Sequence, residues 1–333
     1  MKYSLTLFAA ASLLSFISCT ERESGVSGSA GKPLIVVSVP PYAGLVEKVG
    51  GDLFGVLTLV TENDDPHTYS VTPNELVKVS GAKVYFTASL PFEKTLVSKL
   101  SETKGGPALV DLLAGLETRN FSEGEHEHHD HAEGEHDHAE HKEDADHDHA
   151  EHDHEDAEHK KHADHDHDHE ESELDPHVWL SPVNLIIQAE LISSALQGLV
   201  SSEDEKATIR SNTAALVADL TAVDKELAIT LSPLRGESFF VYHGAFGYFA
   251  RDYSLKQEAI EINGRSPEPK QLTDVVAKAK AEDVHVVFVQ PQFDQTSAEA
   301  LAEAINGKVV AIDPLAKDVI ANLRDIAAKL KAQ

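Results

Sequence analysis

Short runs of β-branched and other apolar residues alternate with segments of helical spacing in two separate stretches of the chain. A run of this kind that is followed by a helix and then by another run favours a parallel sheet with helices on both faces. The runs occupy residues 34–39, 56–60, 83–87 and 108–111 in the first stretch, and residues 239–242, 257–262, 284–289 and 309–312 in the second. We therefore expect an α/β protein with two similar lobes, each built on a parallel sheet.

One long helix is predicted between the two stretches. A capping box, Ser202-Glu203-Asp204-Glu205, starts this helix, and Ser232-Pro233 ends it. A helix of about thirty residues is roughly 40 Å long, which is the span of a small domain. We expect this helix, residues 201–232, to be a rigid connection that joins an N-terminal lobe (33–200) to a C-terminal lobe (233–333).

Residues 122–173 have a composition that no hydrophobic core can contain. They hold 16 of the 20 His residues, 23 Asp or Glu residues and three Lys residues, so that they carry −20 of the net charge of −29. Because such a segment buries little apolar area, it cannot offset the entropy of ordering its backbone, and we predict a disordered insertion in the first lobe. A chain this acidic is repelled by nucleic acid, so we expect no nucleic-acid partner.

The imidazoles of this segment recur at short spacings, which predicts several weak metal sites. Each site has to order the chain before it binds a metal, so it should hold metal less tightly than a preformed site. The segment is interpreted as a collector that passes zinc to a tighter site or senses its abundance; the alternative is a solvated acidic loop that binds metals incidentally. The candidate residues are His126, His128, His129, His131, His136, His138, His141, His147, His149, His152, His154, His159, His162, His165, His167 and His169.

The N-terminus has the pattern of a lipoprotein signal peptide, residues 1–19. Lys2 supplies a positive charge, and the apolar stretch at residues 5–17 is too short for a comfortable membrane span. The small residue Ser18 then precedes Cys19, the single cysteine of the chain. We predict that Cys19 becomes the lipidated first residue of the mature protein; the alternative is an ordinary secretory signal with an incidental cysteine.

Both interpretations of the N-terminus predict export. The mature protein should then lie in the periplasm or on the cell surface, attached to a membrane through the lipid on Cys19. The Ser- and Gly-rich stretch at residues 20–32 is typical of a flexible tether between an anchor and a folded domain. A single cysteine also excludes an intrachain disulfide and a Cys-rich zinc site.

Three His residues outside the acidic segment fall where an α/β protein binds ligands. His67 and His177 each stand third in an Asp-Pro-His tripeptide, in which proline favours an extended turn, and His243 directly follows the predicted strand at 239–242. Asp313 follows the last predicted strand in the same way. Because ligands bind beyond the carboxyl ends of parallel strands, we expect these four residues to form a site in the cleft between the lobes.

Three neutral imidazoles and one carboxylate form an ordinary tetrahedral zinc set, whereas more carboxylates and fewer imidazoles would favour manganese. A hydrogen-bonded structural role is the better explanation for any one of these His residues alone. Three of them at matched positions favour metal coordination. The remaining residue, His285, starts an apolar strand at the opposite end from the expected site, and it is interpreted as structural.

Four motifs resemble, in order, those of the metal-binding lipoprotein and ZnuA-like family of ABC-transporter solute-binding proteins. The motifs are Asp65-Pro66-His67-Thr68-Tyr69, Asp175-Pro176-His177-Val178-Trp179, His243-Gly244-Ala245-Phe246-Gly247-Tyr248-Phe249 and Asp313-Pro314-Leu315. The resemblance implies that the three His residues are metal ligands and that Asp313 is the fourth, although some zinc-binding members use water or another carboxylate there. It also implies zinc rather than manganese, because manganese-binding relatives carry Glu in place of His243.

The resemblance implies an exported zinc-binding component of an ABC importer, which captures Zn²⁺ and delivers it to a membrane permease. We expect a monomer that is not an enzyme. The alternatives are a manganese- or iron-binding member of the same family, and a periplasmic zinc buffer, sensor or adhesin that acts through the His-rich segment. A zinc hydrolase is disfavoured because the chain has no His-Glu-x-x-His sequence; the nearest string, at residues 154–159, has the wrong spacing.

Overall fold

The computed structural model describes residues 26–27, 31–121, 174–261, 267–293 and 295–333. The predicted signal peptide, the lipidation site Cys19, most of the predicted tether and the sixteen His residues of the acidic segment lie outside the described residues. The described residues form two compact units. The first contains the described parts of Met1–Leu112, Gln188–Val217 and Leu315–Asp318, and the second contains those of Leu113–Ile187, Ala218–Pro314 and Val319–Gln333.

The first unit contains a sheet of five strands in the order β1-β3-β2-β4-β5. Its strands are β1 (Val26–Ser27), β2 (Leu34–Val37), β3 (Gly55–Thr58), β4 (Val84–Thr87) and β5 (Ala108–Asp111). Strands β2 to β5 pair in parallel as predicted, with Val36 opposite both Leu57 and Tyr85. Strand β1 differs from the prediction: it is antiparallel to β3 and lies in the stretch expected to be a tether. A strand of two residues is too short to show the alternation of apolar and polar residues that predicts a strand.

The second unit contains a parallel sheet of four strands in the order β7-β6-β8-β9. Its strands are β6 (Ser238–Val241), β7 (Lys256–Ala259), β8 (Val286–Val289) and β9 (Lys308–Ala311). If β1 is left aside, the strand that comes first in the sequence of each unit, β2 or β6, lies between the second and the third strands of that unit. The strand order therefore reverses beside β2 in one unit and beside β6 in the other, and ligands of open α/β sheets bind at such reversals.

The described residues contain nine α-helices. Five of the nine have proline as their first residue, where its missing N–H costs nothing. Their bounds are α1 (Pro40–Gly50), α2 (Pro73–Ser80), α3 (Pro91–Ser101), α4 (Pro182–Gln197), α5 (Glu203–Leu231), α6 (Gly247–Tyr253), α7 (Pro269–Ala281), α8 (Thr296–Ala304) and α9 (Val319–Lys331).

Helix α5 confirms the predicted long helix, with 29 residues that start directly after Ser202 and end directly before Ser232. Its buried residues recur at spacings of three and four, so they share one face of the helix. These residues are Ile209, Thr213, Leu216, Leu220, Val223, Leu227 and Leu231. The division between the compact units falls inside this helix, after Val217. The domain boundaries given above stay a prediction.

Each sheet is covered by apolar side chains of its own unit. In the first unit, Ile35, Val36 and Val37 of β2 are completely buried. In the second, Phe240 and Val287 belong to a core cluster that also includes residues of α7 and α8. No helix among the described residues combines the length and the apolar character that a membrane span requires.

Candidate metal centre

His177 is oriented by the residue that stands two positions before it. Asp175 is completely buried, and its Oδ1 accepts hydrogen bonds from the backbone N–H of His177 at 3.0 Å and from the ring Nδ1 at 2.9 Å. Pro176 between them restricts the backbone of Asp175 to extended conformations. Because Asp175 accepts the proton of Nδ1, the lone pair of the ring lies on Nε2.

His243 is held from two sides at the carboxyl edge of the second sheet. Its backbone N–H donates to Oε1 of Gln290 at 3.1 Å, and Nε2 of Gln290 donates to the backbone carbonyl of His243 at 2.6 Å. The ring Nδ1 hydrogen-bonds the carboxylate of Glu261. Gln290 directly follows β8 and Glu261 comes shortly after β7, so three parallel strands deliver these groups to one edge. Glu261 places the lone pair of this ring on Nε2 as well.

The two Nε2 atoms of His177 and His243 lie 3.3 Å apart. With Zn–N bonds of roughly 2.05 Å and a tetrahedral angle, two imidazole nitrogens on one zinc ion would be roughly 3.4 Å apart. Two lone pairs at this separation repel each other unless a proton or a metal cation lies between them. The pair therefore has the spacing and the electron donors of two ligands to a single metal ion.

His67 completes a group of three imidazoles. Its backbone N–H donates to Oδ1 of Asp65 at 2.9 Å, the arrangement also seen in the second Asp-Pro-His tripeptide, and Thr68 donates to Oδ2 of Asp65 at 2.9 Å. His67, His177 and His243 each offer one ring nitrogen, and these nitrogens lie within 4.8 Å of one another. Three of the four predicted ligands are thus brought together.

Burial keeps the His177 ring in the neutral form that binds metals. Burial is the largest cause that lowers its pKa below the usual 6.5, and a charge on His243 would lower it further, while Asp175 acts in the opposite direction. A neutral imidazole offers its lone pair without first losing a proton. At neutral pH, metal binding to this ring therefore needs no deprotonation step.

Aromatic rings surround the two imidazoles of the second unit. Phe293 stacks on His243 with ring centroids 4.7 Å apart, and Phe121 lies 5.8 Å from His177 and 5.5 Å from His243. Trp179 contacts His177 at 5.2 Å. An apolar surround of this kind limits the access of water and lowers the local dielectric around a bound ion.

Two other residues discussed from the sequence, Asp313 and His285, are not members of this group. Asp313 follows β9 as predicted, and its Oδ1 accepts a hydrogen bond from Nε2 of Gln292 at 2.9 Å, but among the described residues it is not a member of the group of three His residues. Its role as a fourth ligand stays a prediction. His285 directly precedes β8, has an exposed side chain and lies 3.4 Å from Asp283, also outside the group.

Sequence reasoning did not identify the residues that orient the ligands or the rings that cover them. The aspartate of an Asp-Pro-His tripeptide was a usable signal, because Asp side chains commonly accept hydrogen bonds from the backbone two residues further on. Glu261 offered only its place after a strand. Phe121 and Phe293 offered no signal, since single aromatic residues in loops have no periodicity to read.

Residues 35–332 match the family model described as zinc-uptake complex component A, periplasmic (ZnuA). The high-affinity zinc uptake system protein ZnuA of Brucella abortus is 33% identical over 291 residues, which cover 86% of this chain and 84% of that protein. The zinc-binding lipoprotein AdcA of Streptococcus pneumoniae is 28% identical over 319 residues, which cover 95% of this chain but 56% of that protein. A crystal structure of ZnuA has a TM-score of 0.72 and 31% identity, and the match covers 90% of this chain and 98% of that one.

Proposed function

The chain belongs to the ZnuA family of zinc-uptake components, and on this premise we propose that it is the extracytoplasmic, high-affinity zinc-binding component of an ABC importer. It captures Zn²⁺ and delivers the ion to a membrane permease. Members of this family bind their metal as cargo and are not enzymes. The observation that carries the proposal is the 3.3 Å separation of the Nε2 atoms of His177 and His243, each ring being held by a carboxylate at Nδ1.

The donor set supports zinc as the cargo. Three imidazole nitrogens from His67, His177 and His243 suit the borderline-soft Zn²⁺ ion, whereas manganese favours oxygen ligands. Asp313 is proposed as the fourth ligand, and a water molecule is the alternative. The names of the Brucella and Streptococcus relatives point to the same metal.

Zinc capture depends on the carboxylates that hydrogen-bond the proposed ligands. Asp175 and Glu261 accept the Nδ1 protons, which raises the basicity of both Nε2 atoms and removes the need to reorient the rings when the ion arrives. Release then requires that a ligand be drawn away by the permease or that an imidazole be protonated, because zinc binds only the neutral ring.

The His-rich segment at residues 122–173 is proposed to collect zinc loosely and pass it to the group of three His residues. Its sixteen imidazoles and strongly negative charge attract divalent cations. The ends of the segment support this, since Asn120 and Leu174 form an isolated antiparallel bridge close in sequence to the ligand His177. A zinc titration in which the isolated segment binds no zinc at micromolar concentration would rule this out.

Lipidation of Cys19 is proposed on the signal-peptide pattern, and the name of the lipoprotein relative from S. pneumoniae agrees with it. Labelling of cells with a radioactive fatty acid should mark the wild-type chain and not a Cys19→Ser variant. Equal export of both chains with no label on either would indicate an ordinary secretory signal. The proposal also includes a monomer in solution, which light scattering measures directly.

The decisive experiment is a competitive zinc titration against a chromophoric chelator. It uses protein that lacks residues 122–173, with and without His243→Ala, and His285→Ala serves as the matched control because that His is exposed and outside the group. We expect one tight site that survives the deletion, is lost with His243→Ala and is unchanged by His285→Ala. If tight binding disappears with the deleted segment, a buffer or sensor built on that segment becomes the better explanation.

Two further measurements separate the remaining alternatives. A site that prefers Mn²⁺ to Zn²⁺ in direct competition would indicate a manganese-binding member and would overturn the argument from His243. Deletion of the protein from its host should impair growth and zinc uptake when zinc is scarce. Normal uptake under that condition would separate zinc binding from transport and would favour a buffer or an adhesin.

A further inference from the structure

Arg119 forms an ion pair with the carboxylate that orients His177. Its Nη1 lies 3.2 Å from Oδ2 of Asp175, while Oδ1 of the same carboxylate accepts from the backbone and the ring of His177. The Asp175 side chain is completely buried, and that of Arg119 is 13% exposed. The two oxygens of one buried carboxylate are therefore divided between the guanidinium and the imidazole.

The backbone on both sides of this ion pair is fixed by α6. Tyr248 accepts a hydrogen bond from the N–H of Arg119 at 3.1 Å and donates one to the carbonyl of Asp175 at 3.0 Å. The N–H of Asp175 in turn donates to the carbonyl of Arg119 at 3.0 Å. Arg251, one turn further along the helix, donates to the carbonyl of Glu117 at 3.1 Å. Arg119 thus starts from a fixed backbone position beside Asp175.

Gly247, the first residue of α6, leaves the space that the guanidinium occupies. A Cβ atom at this position would lie 1.2 Å from Nη1 and 2.4 Å from Cζ of Arg119, and 2.9 Å from Oδ2 of Asp175. An alanine would displace the guanidinium, which is the far end of a flexible side chain, and it would also crowd Oδ2 of Asp175. Glycine here is required by the ion pair, since alanine is otherwise the better residue in a helix.

We propose that Arg119 is a positioning residue for zinc capture: by holding Oδ2 of Asp175, it fixes Oδ1 against Nδ1 of His177 and so keeps Nε2 of that ring directed at the ion. This deepens the proposed function and rests on it. Without the guanidinium, the carboxylate of Asp175 can rotate about its side-chain bond, and Nδ1 and Nε2 of the ring then compete for the proton. The site loses part of its preorganisation, whereas the fold keeps the backbone hydrogen bonds of Tyr248.

The test uses the full chain and two variants, each of which breaks the ion pair between Arg119 and Asp175. Gly247→Ala displaces the guanidinium and retains its charge, and Arg119→Ala removes it. Arg119→Lys is the conservative variant, because one ammonium can still reach Oδ2. Gly81→Ala is the matched control, since a Cβ there meets its nearest atom at an ordinary 3.6 Å. Zinc affinity is measured by chelator competition, and the proton position by ¹⁵N NMR of metal-free protein, with the His177 signals assigned from their absence in His177→Gln.

We expect Gly247→Ala and Arg119→Ala each to weaken zinc binding roughly tenfold. An effect of this size is typical when a residue that orients a metal ligand is replaced. In both variants, the ¹⁵N shifts of His177 should move from a single Nδ1–H form to a mixture of the two tautomers. Combining the two substitutions should weaken binding by less than the sum of the two separate effects, because both remove the guanidinium from Oδ2 of Asp175. Arg119→Lys should recover most of the affinity, and Gly81→Ala should match the wild type.

Folded Gly247→Ala and Arg119→Ala variants with wild-type affinity and wild-type His177 shifts would overturn the inference. So would a failure of both variants to fold, which would assign Arg119 to stability alone. A wild-type protein without a tight zinc site would instead contradict the proposed function. In that case, the NMR comparison in metal-free protein still decides whether Arg119 positions His177.

Discussion

Ser38 donates a hydrogen bond to the carboxylate of Glu93 directly beyond the end of β2. Strand β2 holds the same place in the first sheet as β6 holds in the second, where His243 follows. The equivalent reversal of strand order is therefore filled by a buried acid in one unit and by a proposed metal ligand in the other. Tyr85 lies 2.8 Å from the Ser38 hydroxyl, and the N–H of Ala88 donates to both oxygens of Glu93 at 3.0 and 2.9 Å.

This buried acid should make stability depend on pH. Burial raises the pKa of Glu93 from 4.5 to about 7, although its hydrogen bonds act to lower it. The folded state therefore binds more protons than the unfolded state between these values, and stability falls as the pH rises from 4.5 to 7. Ionisation of Glu93 should cost roughly 3 kcal/mol of the free energy of unfolding.

A Glu93→Gln variant measures this contribution. The side chain keeps its shape and an acceptor oxygen, but it cannot ionise. Urea unfolding followed by circular dichroism gives the free energy of unfolding of both proteins. Relative to the wild type, that of the variant should rise by roughly 3 kcal/mol between pH 4.5 and pH 7.5. Parallel stability curves over this range would show that Glu93 is ionised throughout.

Glu261 should contribute to zinc affinity through His243. Replacement by Gln leaves a neutral acceptor at Nδ1, so the basicity of Nε2 falls, and we expect roughly tenfold weaker zinc binding in the chelator titration. Glu258→Gln is the control, because that carboxylate pairs with Lys278 at 2.7 Å and does not contact the group of three His residues. Equal affinities for both variants would mean that the charge of Glu261 does not act on the ligand.

Asp313 is tested as the fourth ligand by Asp313→Asn. If the carboxylate binds the ion, the variant should hold zinc at least about tenfold less tightly, the effect seen for groups at a metal site. Asp325→Asn on α9 is the surface control, since Asp325 pairs only locally with Lys329 in an i,i+4 arrangement. An unchanged affinity in Asp313→Asn would leave water as the fourth ligand.

Gly44 allows α1 to approach residue 317 closely within the first unit. A Cβ at this position would lie 2.1 Å from the backbone carbonyl oxygen of Lys317, a contact that a backbone group cannot relieve by rotation. Gly44→Ala should lower the free energy of unfolding by about 1–3 kcal/mol through overpacking. Gly81→Ala, with its nearest atom 3.6 Å away, should have little effect in the same measurement.

Local patterns in the sequence were sufficient for most of the fold. The pattern of Thr72, Pro73 and Glu75 is typical of a capped helix start, and both hydrogen bonds of this capping box are formed at the start of α2. The start and end of α5 were predicted in the same way. Strand β1 was missed because its partner, β3, lies about thirty residues away and its two residues show no alternation. The division of α5 between the compact units depends on contacts and not on periodicity, so no local pattern indicates it.

The sequence by itself determined the parallel strands of the two sheets, the long helix and the three imidazoles that lie together, because each depends on neighbours in the chain or on the ends of strands. Only the tertiary structure decided which carboxylate holds the ring of His243 and which cation holds the carboxylate of Asp175. Glu261 reaches His243 across 18 residues, and Arg119 reaches Asp175 across 56. These pairs depend on strand order and on the space that Gly247 leaves, and neither can be predicted from a periodic pattern in the sequence.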